Sequence, residues 1–170
     1  MDRMTRDKMI VIGLDGSPPS LCALRWATRY AARERASLHI VHTWQPLATP
    51  GWSPLMVAPD VADLEKEGRR ILEEAVAGAR EHSRSIDTGS DHELGGIEIR
   101  PHLVEGHPAP VLLAQAEGAD LLVVGTHGHG AFTGMLLGSV SAHVIGRAPC
   151  PVVVVPMAPG DASDPAGRGS

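Results

Sequence analysis

The chain has 170 residues, close to the usual size of one domain, and its 43% hydrophobic and 21% charged residues exclude a wholly disordered protein. The formal net charge is -5, from 20 acidic and 15 basic side chains, which disfavours nucleic-acid binding because phosphate neutralisation requires a basic face. The first apolar run, residues 9–12, is interrupted by Gly13 and is too short for a signal peptide or a membrane span. We therefore expect a cytoplasmic protein that binds neither nucleic acid nor membrane.

Strand and helix patterns alternate along the chain. Short apolar runs predict the strands, and apolar positions recurring every three to four residues predict the helices. Ser17 or Ser20 can cap the first helix, and Gly118 can end the third. In chain order we predict a strand over 9–15, a helix over 21–35, a strand over 37–43, a helix over 61–82, a strand over 97–104, a helix over 108–117, a strand over 120–125, a short helix over 139–147 and a strand over 151–156.

The segments between and beyond these elements have loop composition. Residues 45–59 contain four prolines and Trp52, which predicts a long flap able to cover a ligand. Residues 84–96 are polar and predict a second loop. Residues 1–8 form an N-terminal extension, and residues 157–170, rich in Pro, Gly, Ala and Asp, predict a disordered tail.

Alternating strands and helices predict a doubly wound α/β fold with a parallel sheet covered on both faces. Five strands in such a fold commonly take the order 2-1-3-4-5 or 3-2-1-4-5. Ligands bind at the carboxyl ends of the strands where the winding reverses. In the 3-2-1-4-5 order, that crevice lies between Asp15, after the first strand, and Gly125, at the end of the fourth.

A glycine-rich segment joins the fourth strand to the last helix. Gly125 and Gly128 can bring backbone N–H groups close to an anion, and Gly138 opens a helix whose positive end attracts phosphate. Ser139 and Ser141 add hydroxyl donors at that helix start. This pattern alone is a weak signal for phosphate binding, and neither a P-loop nor a G-x-G-x-x-G fingerprint is present.

The same segment resembles the universal stress protein family, whose nucleotide signature G-x2-G-x9-G-[S/T] is matched by Gly125, Gly128, Gly138 and Ser139. The runs at residues 10–17, 38–42, 106–108, 120–128 and 149–155 are also similar to that family, so the resemblance covers roughly residues 9–156. It implies a stress-associated cytoplasmic protein that binds ATP; a carboxylate such as Asp15 near bound phosphates could in addition hold Mg²⁺. It further implies a five-stranded Rossmann-like sheet of order 3-2-1-4-5 and a homodimer.

Matching residue by residue, the resemblance implies a nucleotide pocket lined by Asp15 after the first strand and by Thr43 at the end of the second, where the family more often has valine. His129 departs from the family, since many relatives carry arginine there. The complete implied set is Gly13, Asp15, Thr43, Gly125, His127, Gly128, Gly138, Ser139, Val140 and Ser141.

Other functions remain open at this stage. A metal site would require three or four converging ligands, and the candidates His39, His42 and His102 lie on different strands, so we predict none. No Ser/His/Asp signature is present, and we expect a nucleotide-responsive regulatory module with little or no hydrolysis. The alternatives are a slow ATP-hydrolysing or adenylating enzyme and a dimerisation module without nucleotide. Dimerisation is expected through residues 151–156, because an apolar edge strand is normally covered.

Overall fold

The computed structural model describes residues 7–46, 60–86, 96–128 and 137–157. Each predicted strand and helix is present in these ranges. The strands are β1 (Met9–Leu14), β2 (Ser37–Trp44), β3 (Ile99–Glu105), β4 (Leu121–Gly125) and β5 (Val152–Val155), and the helices are α1 (Pro18–Glu34), α2 (Val61–Ser85), α3 (Pro108–Gln115) and α4 (Ser139–Ile145).

The five strands form one sheet of order β3-β2-β1-β4-β5, and every neighbouring pair is parallel. This confirms the predicted Rossmann-like order and excludes 2-1-3-4-5. Helices α1 and α2 bury Leu24, Ala27 and Leu72 against one face. Helices α3 and α4 bury Leu112 and Val144 against the other. The winding therefore reverses between β1 and β4, as the sequence predicts.

Helix α1 begins three residues earlier than predicted. Ser17 is its N-cap, and its side chain accepts a hydrogen bond from the backbone N–H of Ser20. Pro18 and Pro19 occupy the first turn, where a missing N–H costs nothing and a fixed φ favours the helix. The helix therefore starts directly after the short loop that follows β1.

Two other helix boundaries differ from the predictions. Helix α2 continues to Ser85 because its polar last turn contains no helix breaker, so the expected loop at 84–96 begins later. Helix α3 ends at Gln115 with Ala116 as its C-cap, which corrects the prediction that Gly118 ends it. Gly118 instead has φ +77° in the turn leading to β4, a left-handed conformation that glycine adopts without strain.

Several expectations lie outside the described residues. These are the terminal segments 1–6 and 158–170, most of the proposed flap (47–59, with Trp52), residues 87–95, and residues 129–136 with His129. Among the described helices, none combines the length and the apolar character needed to cross a membrane. Cys22 is buried, whereas Cys150 is half-buried.

Candidate functional site

A cavity of about 750 Å³ opens at the carboxyl ends of β1, β2 and β4. It lies at the point where the winding of the sheet reverses, which is where ligands of this fold bind. The structure brings all of the sequence-predicted site residues to this one cavity, although they come from four separate chain segments. The residues concerned are Gly13, Asp15, Thr43, Gly125, His127, Gly128, Gly138, Ser139, Val140 and Ser141.

Asp15, just after β1, is one of the residues that line the cavity. One carboxylate oxygen, Oδ1, accepts hydrogen bonds from the backbone N–H of Ser17 at 2.9 Å and from the Ser17 hydroxyl. The other oxygen, Oδ2, faces Gly128 so closely that a Cβ at Gly128 would overlap it. The N-cap region of α1 therefore fixes Asp15, and a residue without a side chain is required opposite it.

Hydrogen bonds join the residues directly after β4 to the start of α4. The backbone N–H of Gly138 donates to the Thr126 carbonyl at 2.6 Å. The buried Ser141 hydroxyl lies 3.0 Å from the Thr126 carbonyl and 3.0 Å from the Gly138 carbonyl. Ser141 thus connects Thr126 to the start of α4, while Ser139, the first residue of α4, is exposed beside the cavity. This arrangement directs the N-terminal end of α4 toward the cavity.

Packing also restricts two of the predicted glycines, Gly125 through the backbone of Pro19 and Gly13 through the flexible side chain of Leu112. A Cβ at Gly125 would lie 2.9 Å from the backbone carbonyl carbon of Pro19, and a Cβ at Gly13 would lie 2.7 Å from Leu112 Cδ1. Both separations are shorter than ordinary carbon–carbon contacts. Gly125 lets β4 approach the start of α1, and Gly13 lets β1 approach α3.

Residues of β2 and of the start of α3 also line the cavity. Leu112 and Pro108 line it together with Thr43. Pro108 and Pro110 have no N–H to donate, so the start of α3 offers a ligand fewer hydrogen bonds than the start of α4. Backbone N–H donors are therefore more numerous at the start of α4 than at the start of α3.

Sequence reasoning missed several residues that line the cavity. His42 is buried and its Nδ1 lies 2.8 Å from the Leu14 carbonyl oxygen, so Nδ1 donates and ties β2 to the end of β1 beside Asp15. The sequence could have indicated His42, because it directly precedes Thr43 at the end of a predicted strand. The other missed lining residues are Leu14, Ser20, Val41, Gln45, Gly106, Pro108, Leu112, Val124 and Leu137.

The described lining of the cavity carries little positive charge for a phosphate site. Within the lining that the structure describes, Asp15 supplies a carboxylate and no lysine or arginine is present. The sequence from Gly125 to Ser141 also contains no lysine or arginine. An anion in this cavity would depend on backbone N–H groups, on the dipole of α4 and on any accompanying cation.

The histidines considered as metal ligands fall into two places. His42 lines the cavity, whereas His39 and His102 meet on the sheet away from it. Over residues 7–46, 60–86, 96–128 and 137–157, no group of three or more His, Cys, Asp or Glu side chains is placed to hold a metal ion.

With this geometry established, comparison with known proteins identifies the family. The model of the universal stress protein family matches residues 8–156. The chain belongs to the universal stress protein family. A universal stress protein of Mycolicibacterium smegmatis is 36% identical over 146 residues, which cover 86% of this chain and 45% of the relative. A universal stress protein of Mycobacterium tuberculosis is 32% identical over 163 residues, which cover 91% of this chain and 50% of the relative. The chain thus spans about half the length of the curated relatives it matches.

Solved structures of universal stress proteins share the fold. One, solved in complex with cAMP, is 29% identical with a TM-score of 0.64, and the match covers 91% of this chain and 100% of that one. A family member from Burkholderia pseudomallei is 29% identical with a TM-score of 0.61, covering 88% and 96% of the two chains. A universal stress protein from Lactobacillus plantarum, 21% identical with a TM-score of 0.64, supports the fold alone.

Proposed function

We propose that this universal stress protein binds an adenine nucleotide in the cavity between β1 and β4, and that this nucleotide is ATP. The observation that carries the proposal is the convergence of the glycine-loop residues and Asp15 on one cavity at the reversal point of the sheet. The relative solved with cAMP, 29% identical over nearly the whole chain, supports an adenine nucleotide as the ligand class. We place the binding unit at residues 9–156, with segments 1–8 and 157–170 outside it.

The two sides of the cavity suggest how the nucleotide lies. Phosphates fit the α4 side, where Gly138 and Ser139 present the N-terminal end of the helix. The adenine fits the part of the cavity where Leu112 and Pro108 provide apolar contacts beside Thr43, near the end of β2. Asp15, between the two, is placed to accept hydrogen bonds from ribose hydroxyls or to contact a Mg²⁺ ion carried by the phosphates.

We further propose that the chain acts as a nucleotide-responsive regulatory module in the cytoplasm, with little or no hydrolysis. Phosphoryl transfer requires positive groups at the charge that develops in the transition state. The described lining offers backbone dipoles for this purpose, but no lysine or arginine. The alternative, a slow ATP-hydrolysing or adenylating enzyme, would use Asp15 with Mg²⁺ to orient water.

Two substitutions test the phosphate side. Loss of the Ser139 hydroxyl removes a hydrogen bond to a charged group, worth about 1.5–3 kcal/mol, so Ser139→Ala should weaken ATP binding roughly tenfold to a hundredfold. A side chain at Gly138 would begin 3.3 Å from the Thr126 carbonyl oxygen and would block the helix start, so Gly138→Val should weaken binding further. Calorimetric titration with ATP, together with circular dichroism, measures both effects.

The control is Gly146→Ala in the turn after α4, where an added Cβ meets nothing within 4 Å. This variant should bind ATP as the wild type does. If Ser139→Ala and Gly138→Val fold and also bind normally, the nucleotide site is elsewhere. Measuring steady-state ADP release on the same samples separates the regulatory module from the enzyme, because sustained ADP release would favour the enzyme.

A homodimer through β5 is also proposed. This edge strand consists of four valines, Val152–Val155, all half-buried, whereas the opposite edge strand β3 carries Pro101 and charged residues such as Arg100 and Glu105. Proline and charge protect an edge from pairing, and a valine edge invites it. We therefore expect a second copy of the chain to cover β5.

Sedimentation at micromolar concentration should show a dimer for the wild type. Val153→Lys should give monomer, because a charged side chain would have to be buried at the interface. Glu105→Lys, on the β3 edge, is the matched control and should remain dimeric. A wild-type protein that stays monomeric as its concentration is raised would contradict the proposal.

A further inference from the structure

His42 is a buried polar side chain at the end of an apolar row on β2. Leu38, Ile40 and His42 alternate along the strand and therefore face the same side of the sheet. Leu38 and Ile40 belong to the core that α1 and α2 cover, whereas His42, 7% exposed, lines the cavity. Because a buried polar group is costly unless it is hydrogen-bonded, the place of His42 depends on the bond that its ring makes.

This bond holds one side of the peptide group between Leu14 and Asp15. His42 Nδ1 donates to the Leu14 carbonyl oxygen at 2.8 Å, since a carbonyl oxygen can only accept. On the other side of the same peptide group, the backbone N–H of Asp15 donates to Ser20 Oγ at 3.4 Å. Because a peptide group is planar, two side chains that hold its oxygen and its N–H set the direction in which the chain enters Asp15.

The carboxylate of Asp15 is held in the same way by a buried side chain. Its Oδ1 atom accepts from the N–H and the hydroxyl of Ser17, while Oδ2 faces Gly128. Thr28 bonds to a carbonyl of its own helix, but the other buried polar side chains all hold segments that border the cavity. Among the described residues, the buried polar side chains are Ser17, Ser20, Thr28, His42 and Ser141.

Helix α2 leaves room for the imidazole ring at Gly68. A Cβ at Gly68 would lie 3.1 Å from His42 Cδ2 and 3.2 Å from His42 Nε2, closer than ordinary nonbonded contacts. The same helix contacts the loop after β1 at Gly16, where a Cβ would lie 3.3 Å from Ile71 Cγ2. The ring therefore lies between α2 and the end of β1, and its contact with Gly68 keeps Nδ1 directed at the Leu14 carbonyl.

We propose that His42 is a positioning residue of the nucleotide site, which acts on the ligand through Asp15. The donor at Nδ1 holds the peptide group between Leu14 and Asp15, and this peptide group sets the position from which the Asp15 carboxylate meets the nucleotide. The inference rests on the proposed function, since it assigns His42 a part in the same site. Loss of the donor should reduce nucleotide affinity, even where an apolar side chain fills the space of the ring.

Two substitutions separate the hydrogen bond from the packing of the ring. His42→Asn retains an N–H donor near the position of Nδ1, whereas His42→Leu provides apolar volume without a donor. Calorimetric titration with ATP should give roughly tenfold weaker binding for His42→Leu, the loss expected for one hydrogen bond. His42→Asn should bind ATP with an affinity close to that of the wild type.

The matched control is Val76→Ala, at a buried position of α2 in the same core. This variant should lower the stability, because it leaves a cavity, and should leave the ATP affinity unchanged. If His42→Leu binds ATP as the wild type does, or if His42→Asn loses as much affinity as His42→Leu, the positioning role is overturned. An equal loss of affinity in Val76→Ala would show that His42 has only a structural role.

Nuclear magnetic resonance of the nucleotide-free protein tests the inference without a ligand. At about pH 8.5, where imidazole is ordinarily neutral, His42 should carry its proton on Nδ1. The amide signals of Asp15 and Ser17 should shift more in His42→Leu than in His42→Asn.

These spectra also separate the inference from the proposed function. A wild type that binds no ATP would refute the proposed function, and the amide signals would still decide whether His42 positions Asp15. A His42 proton on Nε2, or unchanged Asp15 and Ser17 signals in His42→Leu, would refute the positioning role. If His42→Leu fails to fold, the wild-type tautomer and the ATP affinity of His42→Asn decide the question: a proton on Nδ1 with retained affinity supports the role, and any other result refutes it.

Discussion

The contact between Gly128 and Asp15 gives the sharpest test of the nucleotide site. A methyl group at Gly128 would overlap Asp15 Oδ2 and would lie 3.5 Å from the carboxylate carbon. Gly128 does not have a positive φ, so alanine introduces no backbone strain there. The side chain of Asp15 or the loop must therefore move by about 1 Å, since nonbonded atoms do not approach closer than about 3–3.5 Å.

The expected consequence of Gly128→Ala is loss of nucleotide affinity with little loss of stability. Displacing Asp15 disturbs its bonds to Ser17, and it removes one or two hydrogen bonds between the carboxylate and the ligand. At about 1.5–3 kcal/mol for a bond to a charged group, affinity should fall roughly tenfold to a hundredfold for one bond. Calorimetric titration with ATP measures the affinity, and denaturant unfolding measures the stability.

A double-mutant cycle isolates the contact. In an Asp15→Ala background the added methyl group meets no carboxylate, so Gly128→Ala should change the affinity little beyond the effect of Asp15→Ala alone. If the two substitutions are instead additive, Gly128 acts independently of Asp15. Wild-type affinity in Gly128→Ala would refute the reasoning that this contact shapes the site.

Three further predictions concern stability and can be checked by denaturant unfolding. Gly78→Ala should stabilise the protein by about 0.5–1 kcal/mol, because Gly78 lies inside α2 and an added Cβ meets nothing within 4 Å; a loss of stability would contradict this. Gly125→Ala should destabilise it by about 1–3 kcal/mol, because its Cβ would press on the backbone of Pro19; unchanged stability would show that the β4–α1 packing yields easily. Burial, and then the charges of Arg29 and Arg25, lower the pKa of His82 from 6.5. As the pH falls, the unfolded chain therefore binds a proton at His82 before the folded protein does. The free energy of unfolding should decrease as the pH falls from 6.5 toward the folded-state pKa of His82. His82→Gln should flatten that part of the stability profile, and an identical acid slope in wild type and variant would show that His82 does not contribute.

The strands and helices of this fold could be predicted because the strands are apolar runs and the helices have apolar residues at every third or fourth position. The predicted start of α1 at residue 21 is three residues late, because the sequence offers both Ser17 and Ser20 as caps and two prolines in succession suggest a turn. The sheet order came from the family resemblance, because strand patterns alone left two orders open. The meeting of His39 and His102 could not be predicted, because it depends on a register between strands some 60 residues apart in sequence.

The structure also divides the glycines of the family signature by the reason each is required. Gly125 is required by packing against Pro19, whereas Gly128 is required by its approach to Asp15. Gly138, close to His127 and Thr126, shapes the start of α4. A chain could therefore keep Gly125 for its fold alone, even after losing its ligand. Gly128 has no comparable packing reason within the described residues, because the group it approaches is a carboxylate at the cavity. The requirement for glycine at position 128 therefore depends on the cavity, whereas the requirement at position 125 depends on the packing of the fold.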